Sequence, residues 1–157
     1  MKLKEIIHNL KQPIPTELIS TRELKGKVIP YIKWANLTDL LDERAGEGNW
    51  SWEIVETTIT PCTIQRQSTT KEGYIYTHSY GSRIILKGRL TLFGDDRILT
   101  MDSTGQEELT TADYGDPSSN AEAMSLRRCC AKPGLGRSIS TPKPATKHQE
   151  TSGKYKV

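Results

Sequence analysis

Apolar residues recur at helical intervals from Leu3 to Leu10, where Leu3, Ile6, Ile7 and Leu10 share one face, and Gln12-Pro13-Ile14-Pro15 ends the pattern. A short amphipathic helix is predicted there. A polar segment through Ser20-Thr21-Arg22 and Lys25-Gly26-Lys27 leads to Tyr31-Ile32, and helical spacing then returns with Leu37, Leu40, Leu41 and Arg44 until Gly46 and Gly48 stop it. From Trp50 the period falls to two. Trp50, Trp52 and Ile54 alternate with Ser51 and Glu53, and β-prone threonines carry the strand on to Thr60.

The stretch from Thr63 to Tyr80, with Lys71-Glu72-Gly73 in its middle, reads as a long hairpin whose arms rejoin the sheet. The clearest strand is Arg83 to Phe93: Ile84, Leu86, Leu90 and Leu92 lie on one face, and Arg83, Lys87 and Arg89 lie with Ile85 and Thr91 on the other. Gly94-Asp95-Asp96 supplies a turn, and Ile98 to Ser103 returns as a further strand. A polar loop from Asp113 to Pro117 then leads into a last helix. Ser119 followed by Glu122 matches a capping box, with Ala123, Leu126 and Cys130 as its apolar stripe and Pro133-Gly134 as its stop. The expected fold is α+β, an antiparallel β-meander with a long hairpin packed against helices. It occupies residues 1–140, and residues 141–157, rich in Pro, Thr, Lys, Ser and Gly, are expected to form a disordered basic tail.

Composition adds constraints. At 157 residues with 34% hydrophobic content and one phenylalanine, the chain is one domain with a modest core, and help from subunit contacts is expected. No stretch approaches the roughly 20 apolar residues of a membrane helix, and the opening Met1-Lys2-Leu3-Lys4-Glu5 lacks the apolar run of a signal peptide, so a cytoplasmic location without membrane contact is expected. Cys62, Cys129 and Cys130 show neither CxxC nor Cys/His metal spacing and read as reduced thiols. The net charge is only +3, but it is unevenly spread. Residues 101–120 hold no Lys or Arg against 5 acids, whereas residues 61–100 hold 6 against 3 and residues 121–140 hold 4 against 1. A polyanion would have to lie on the two basic stretches.

Arg127 and Arg128 stand side by side on the last helix, with Lys132 one turn below Arg128. Guanidinium forks suit phosphate oxygens, although a solvated helix face with cations near the negative helix end gives the same pattern. Arg83, Lys87 and Arg89, extended by Arg66 and Lys71 on the hairpin, form a strand face that either follows a phosphate backbone or simply faces water. Tyr31, Trp34, Trp50 and Trp52 are either stacking platforms or core.

Catalytic chemistry finds little support. His8, His78 and His148 are scattered, the acid pairs Asp95-Asp96 and Glu107-Glu108 fit structural or solvated roles, and Gly134-Leu135-Gly136 after a helix is the wrong context for a nucleotide loop. A non-enzyme with no metal, no cofactor and no use of ATP is expected.

The order of these features resembles the Rad52-type single-strand annealing family, closest to its short bacterial branch that includes the DNA damage response A proteins. Leu18-Ile19-Ser20-Thr21-Arg22, then Tyr31-Ile32 and a helix ending at Gly48-Asn49-Trp50, is similar to the family's opening. Gly88-Arg89-Leu90-Thr91-Leu92 is similar to its central strand, and residues 118–132 followed by Gly134-Leu135-Gly136 to its characteristic helix and glycine exit. The resemblance covers residues 1–139 and departs at Pro133, where the family usually has an aromatic residue. It implies an oligomeric ring that holds single-stranded DNA in an outer groove and anneals strands without ATP, in DNA repair and homologous recombination. It places Arg127 and Arg128 on the DNA-contacting basic pair and Arg22 on an early arginine of the same groove. Other recombination or single-strand-binding proteins are candidate partners. The competing expectations are a protein-interaction or assembly module of the same fold without annealing activity, motivated by the acidic stretch from Asp102 to Asp116, and a small hydrolase or nuclease using the acid pairs.

Overall fold

The computed structural model describes residues 1–24, 26–109 and 116–140, with the side chains of Leu24, Arg66 and Ser140 not among those described. The tail from residue 141 and the loop positions 113–115 lie outside the described residues. The elements are α1 (Leu3–Leu10), a 3-10 turn (Thr16–Leu18), β1 (Ile19–Leu24), β2 (Lys27–Ile32), α2 (Trp34–Ala45), β3 (Trp50–Thr70), β4 (Gly73–Phe93), β5 (Ile98–Glu108), α3 (Pro117–Ala131) and α4 (Arg137–Ser140). β3, β4 and β5 form an antiparallel meander in chain order, as the periodicity predicts. The first arm of the predicted hairpin continues β3, and its second arm forms one continuous β4 with the strand after it, the two pairing along their length except at a bulge at Val55, between Ile54 and Glu56.

The segment read as a polar connection is a strand pair of its own, β1 with β2, turning near Gly26 at φ 75. Its apolar alternation is weak, and Pro30 sits inside β2, a residue a strand tolerates only where no ladder amide is needed.

One face of the meander is covered by helices. Leu3, Ile6 and Leu10 of α1, Leu37, Leu40, Leu41 and Ala45 of α2, and Leu126, Cys129 and Cys130 of α3 close over Leu90, Leu92 and Met101. Arg44 of α2 donates to the carbonyls of Gln12 at 2.7 Å and Pro13 at 2.9 Å, tying down the chain that leaves α1. At the other end of α1, the Asp96 carboxylate accepts from the Leu3 amide at 2.9 Å, which lowers its pKa below the usual carboxylate range. The Asp95-Asp96 pair therefore serves as a helix anchor. Burial of the two helix thiols, Cys129 and Cys130, pushes both pKa values up, so they stay protonated and pack as small apolar groups.

α3 starts one turn earlier than the predicted capping box. Asp116 is the N-cap, accepting from the Ser118 amide at 3.2 Å and from the hydroxyls of Ser118 and Ser119 at 2.8 and 2.9 Å, and Pro117 opens the helix. The buried stripe also shifts, to Ala121, Ser125, Leu126, Cys129 and Cys130, with Ala123 only half-buried. The physical reason is contact at two glycines. A Cβ on Gly105 would lie 1.8 Å from the Ala121 carbonyl oxygen, and one on Gly88 would lie 2.0 Å from the Trp52 ring. The Ser125 hydroxyl accepts from the Gly88 amide at 3.1 Å, beside the Val55 bulge, and donates to the Ser103 carbonyl at 2.7 Å. A polar residue at full burial is thereby satisfied on both sides.

The opposite face carries charge. Asp102 holds Arg89 through a two-pronged pair at 2.8 and 3.0 Å, with Lys87 at 3.8 Å and Glu53 at 3.8 Å from Arg89. The hydrogen bonds from Arg89, then its charge and those of Lys87 and Lys132, hold the Asp102 carboxyl below its ordinary pKa.

Two outcomes follow for stability. Gly105→Ala should destabilise by about 3 kcal/mol or more, because the new methyl meets helix backbone that cannot rotate away. A loss under about 1 kcal/mol in urea unfolding would show that α3 does not sit this close. For Asp102, a lowered folded pKa means that its stabilisation is present above the unfolded value of about 3.9 and is lost as pH falls through the folded value. The Tm difference between the parent and Asp102→Asn should therefore be present at neutral pH and shrink below roughly pH 4. A difference constant from pH 7 to about pH 2.5 would assign the effect to something other than the carboxylate charge.

Candidate nucleic-acid interface

The β1–β2 ribbon faces α3 across a groove, and the groove collects arginines. Arg22 pairs with Ile29 and Ser20 with Tyr31, so Arg22 and Tyr31 are diagonal neighbours on one face of the ribbon. Arg127 reaches the same ring from α3. The guanidinium carbons of Arg22 and Arg127 each lie 5.8 Å from the Tyr31 ring centroid, so one tyrosine holds two like charges by cation–π attraction. Burial first, and then the Arg22 charge, pull the Arg127 pKa below its ordinary value, while Tyr31 opposes the shift. Arginine nevertheless stays protonated at physiological pH. The Arg22 Nε is buried and has no hydrogen-bond partner among the described residues. Buried Ile32, Leu37 and Leu135 give the groove an apolar lining, with Met124, Ile139 and the more exposed Val28 and Pro30 beside them, and Lys27 and Arg128 also border it.

Arg128 and Lys132 also fasten α3 to the sheet. Arg128 donates to the Thr104 carbonyl at 2.8 Å and Lys132 to the Asp102 carbonyl, both along the edge strand β5. Together they cover a stretch of edge that would otherwise invite another strand. Arg83 joins Arg22 and Arg128 around a second hollow that continues from the groove, in company with Glu23, Glu107 and Glu108.

Arg22, Arg127, Arg128 and Arg83 thus come together. Lys132 sits one turn along. Lys87 and Arg89 lie on the far face of the sheet, committed to Asp102 and Glu53. Arg66 belongs to β3 in the hairpin, and its side chain lies outside the described residues. Among the described residues no carboxylate lies within ion-pair distance of Arg22, Arg127 or Arg128. That distinction separates the two basic clusters, which look alike in sequence.

Trp50 and Trp52 pack partly buried against the core, Trp50 donating its indole N–H to Asp42 at 2.8 Å. Trp34 meets Trp52 edge-on at 6.3 Å between ring centroids. Tyr31 is the aromatic residue that belongs to the site, and its double partnership could not be read from spacing because β1, β2 and α3 are distant in sequence. Pro133 is buried without disturbing the helix exit: Gly134 donates to the Ala131 carbonyl at 3.1 Å and Leu135 to that of Cys130 at 2.9 Å. Among the described residues no cluster of His, Cys, Asp and Glu could hold a metal ion, and no helix is long and apolar enough to cross a membrane.

The family model for the Rad52/22 family double-strand break repair protein matches residues 2–154. The DNA repair RAD52-like protein 1, mitochondrial, of Arabidopsis thaliana is 34% identical over 134 residues, covering 85% of this chain; the match spans 65% of the relative's length. With the groove and the fold in view, the chain belongs to the Rad52/22 family of double-strand break repair proteins.

Proposed function

We propose that this chain binds single-stranded DNA through the groove between β1–β2 and α3, and that it acts as an oligomeric ring that anneals complementary strands without ATP and without bond chemistry. The observation that carries the reading is the convergence of Arg22, Arg127 and Arg128 with no acidic partner among the described residues, including a buried Arg22 Nε that a phosphate oxygen would satisfy. Cations that hold phosphates leave the bases of an extended strand free to sample pairing, and the charge they neutralise lowers the repulsion between two strands. Exposed Ile54, Val55 and Ile59, 45%, 42% and 62% accessible along β3 below the hairpin, support assembly, because exposed apolar side chains favour subunit contact.

The test is titration of a labelled oligonucleotide by anisotropy, alongside an annealing assay and mass photometry. Arg127→Ala combined with Arg128→Ala should weaken binding by roughly tenfold or more, equally for all sequences. The salt dependence should flatten, the slope of log affinity against log salt changing by about 1.4 for two lost phosphate contacts on a single strand. Because Arg128 also bonds the Thr104 carbonyl, circular dichroism of the variant must match the parent. Unchanged annealing by a folded double variant would remove the groove as the site, and a parent that binds no oligonucleotide at physiological salt would favour a purely protein-binding assembly module.

A further inference from the structure

Beyond the body of the domain the β3–β4 ribbon stands alone. From Gln65 to Tyr80 every described side chain is exposed. Strand alternation places Tyr74, Tyr76, His78 and Tyr80 on one face, and the antiparallel register sets Thr69, Gln67, Gln65 and Thr63 directly opposite them. Tyr74 is 65% accessible, Tyr76 54% and Tyr80 95%. Tyrosine rings usually lie against something, and here none of the described residues covers them.

Three features favour nucleobases as the occupant. Alternate positions on a strand lie about 7 Å apart, and aromatic planes stack at about 3.4 Å, so successive rings of the ladder leave room for one base between them. From Thr57 to Tyr80 the only acid is Glu72, in the turn, against Arg66 and Lys71, so little repels a polyanion. The cross-strand neighbours are amides and hydroxyls, and Gln65, Gln67 and Thr69 line a shallow concavity with Tyr76. Such amides and hydroxyls both donate and accept hydrogen bonds, so the surface can meet base edges. The ladder also continues the sheet face of Ile84 and Leu86, on which Ala121 of α3 packs, so it lies on the same side of the sheet as α3.

We propose that Tyr74, Tyr76 and Tyr80 form a second contact for single-stranded nucleic acid, in which the rings stack on bases while Gln65 and Gln67 bond their edges. This contact differs in kind from the arginine groove: it holds bases, is tolerant of sequence because every base has a π-face, and contributes little to counterion release. It does not depend on the groove being correct.

The experiment uses the full chain and an oligothymidylate carrying 5-iodo-deoxyuridine. Ultraviolet cross-linking followed by peptide mass spectrometry should recover adducts on Tyr74, Tyr76 or Tyr80. The triple substitution Tyr74→Ala, Tyr76→Ala and Tyr80→Ala should lower affinity by about tenfold or more with the salt slope unchanged, and tryptophan at the same positions should restore it. Absence of adducts on the ribbon together with parental affinity would overturn the proposal. A triple variant whose assembly changes in mass photometry without DNA would overturn it too, by identifying the face as a subunit contact. The cross-link on the parent protein keeps the test valid if the variant folds poorly. A flattened salt slope in the Arg127→Ala, Arg128→Ala protein and an unchanged one in the tyrosine variant separate the two sites, so either can fail alone.

Discussion

The position of everything functional depends on how closely α3 lies on the sheet. Gly88 and Gly105 remove the side chains that would hold the helix away, and Ser125 links the Gly88 amide to the Ser103 carbonyl at full burial. A buried hydroxyl with both roles satisfied is directional in a way that leucine packing is not, so it sets the rotation of the helix as well as its distance. That rotation decides which residues meet the core. With Ser125, Leu126 and Cys129 inward, Arg127 turns toward the β1–β2 ribbon and Arg128 toward the β5 edge. A helix docked through apolar contacts alone would retain more freedom to roll, and the groove would lose its alignment.

The same cationic residue type does two different jobs in this protein, and the acids near each decide which. Arg89 is a fork closed on Asp102, and Lys87 shares that carboxylate, so the outer face of the sheet is locally neutral and its charge contributes to strand pairing. Arg22 and Arg127 meet an aromatic ring and each other. A tyrosine face attracts cations without cancelling their charge, so proximity is achieved and the field survives.

Most of the scaffold was legible in the sequence because it rests on local periodicity. The meander, both early helices, the long hairpin and the buried face of β4 follow from spacing of two or 3.6 residues. The β1–β2 ribbon was not, since Ile19–Leu24 is nearly all polar at its centre and Pro30 argues against a strand. The helix starts one turn before the Ser119–Glu122 motif, because the Asp116 carboxylate caps the Ser118 amide and holds both serine hydroxyls while Pro117 is preset for the first turn. Arg22, Arg127 and Arg128 were visible as candidates through family resemblance and charge, whereas the neutralisation of Lys87 and Arg89 by Asp102 was invisible, since cross-strand partners 13 residues apart have no local signature.

Holding unpaired guanidinium groups near one another in a partly dry groove costs free energy, visible in the depressed Arg127 pKa and the unpartnered Arg22 Nε. The fold can sustain this because the groove borders the main core at Ile32, Leu37 and Leu135, between an edge ribbon and a helix already secured by Ser125, Arg128 and Lys132. On the proposed reading, a chain of regularly spaced anions would complement such a site and relieve the repulsion between its arginines. Neutral pairing of those arginines would have made a more stable groove and a weaker one for a phosphate backbone. Stability was instead concentrated a few residues away, at the two glycines and the serine between them.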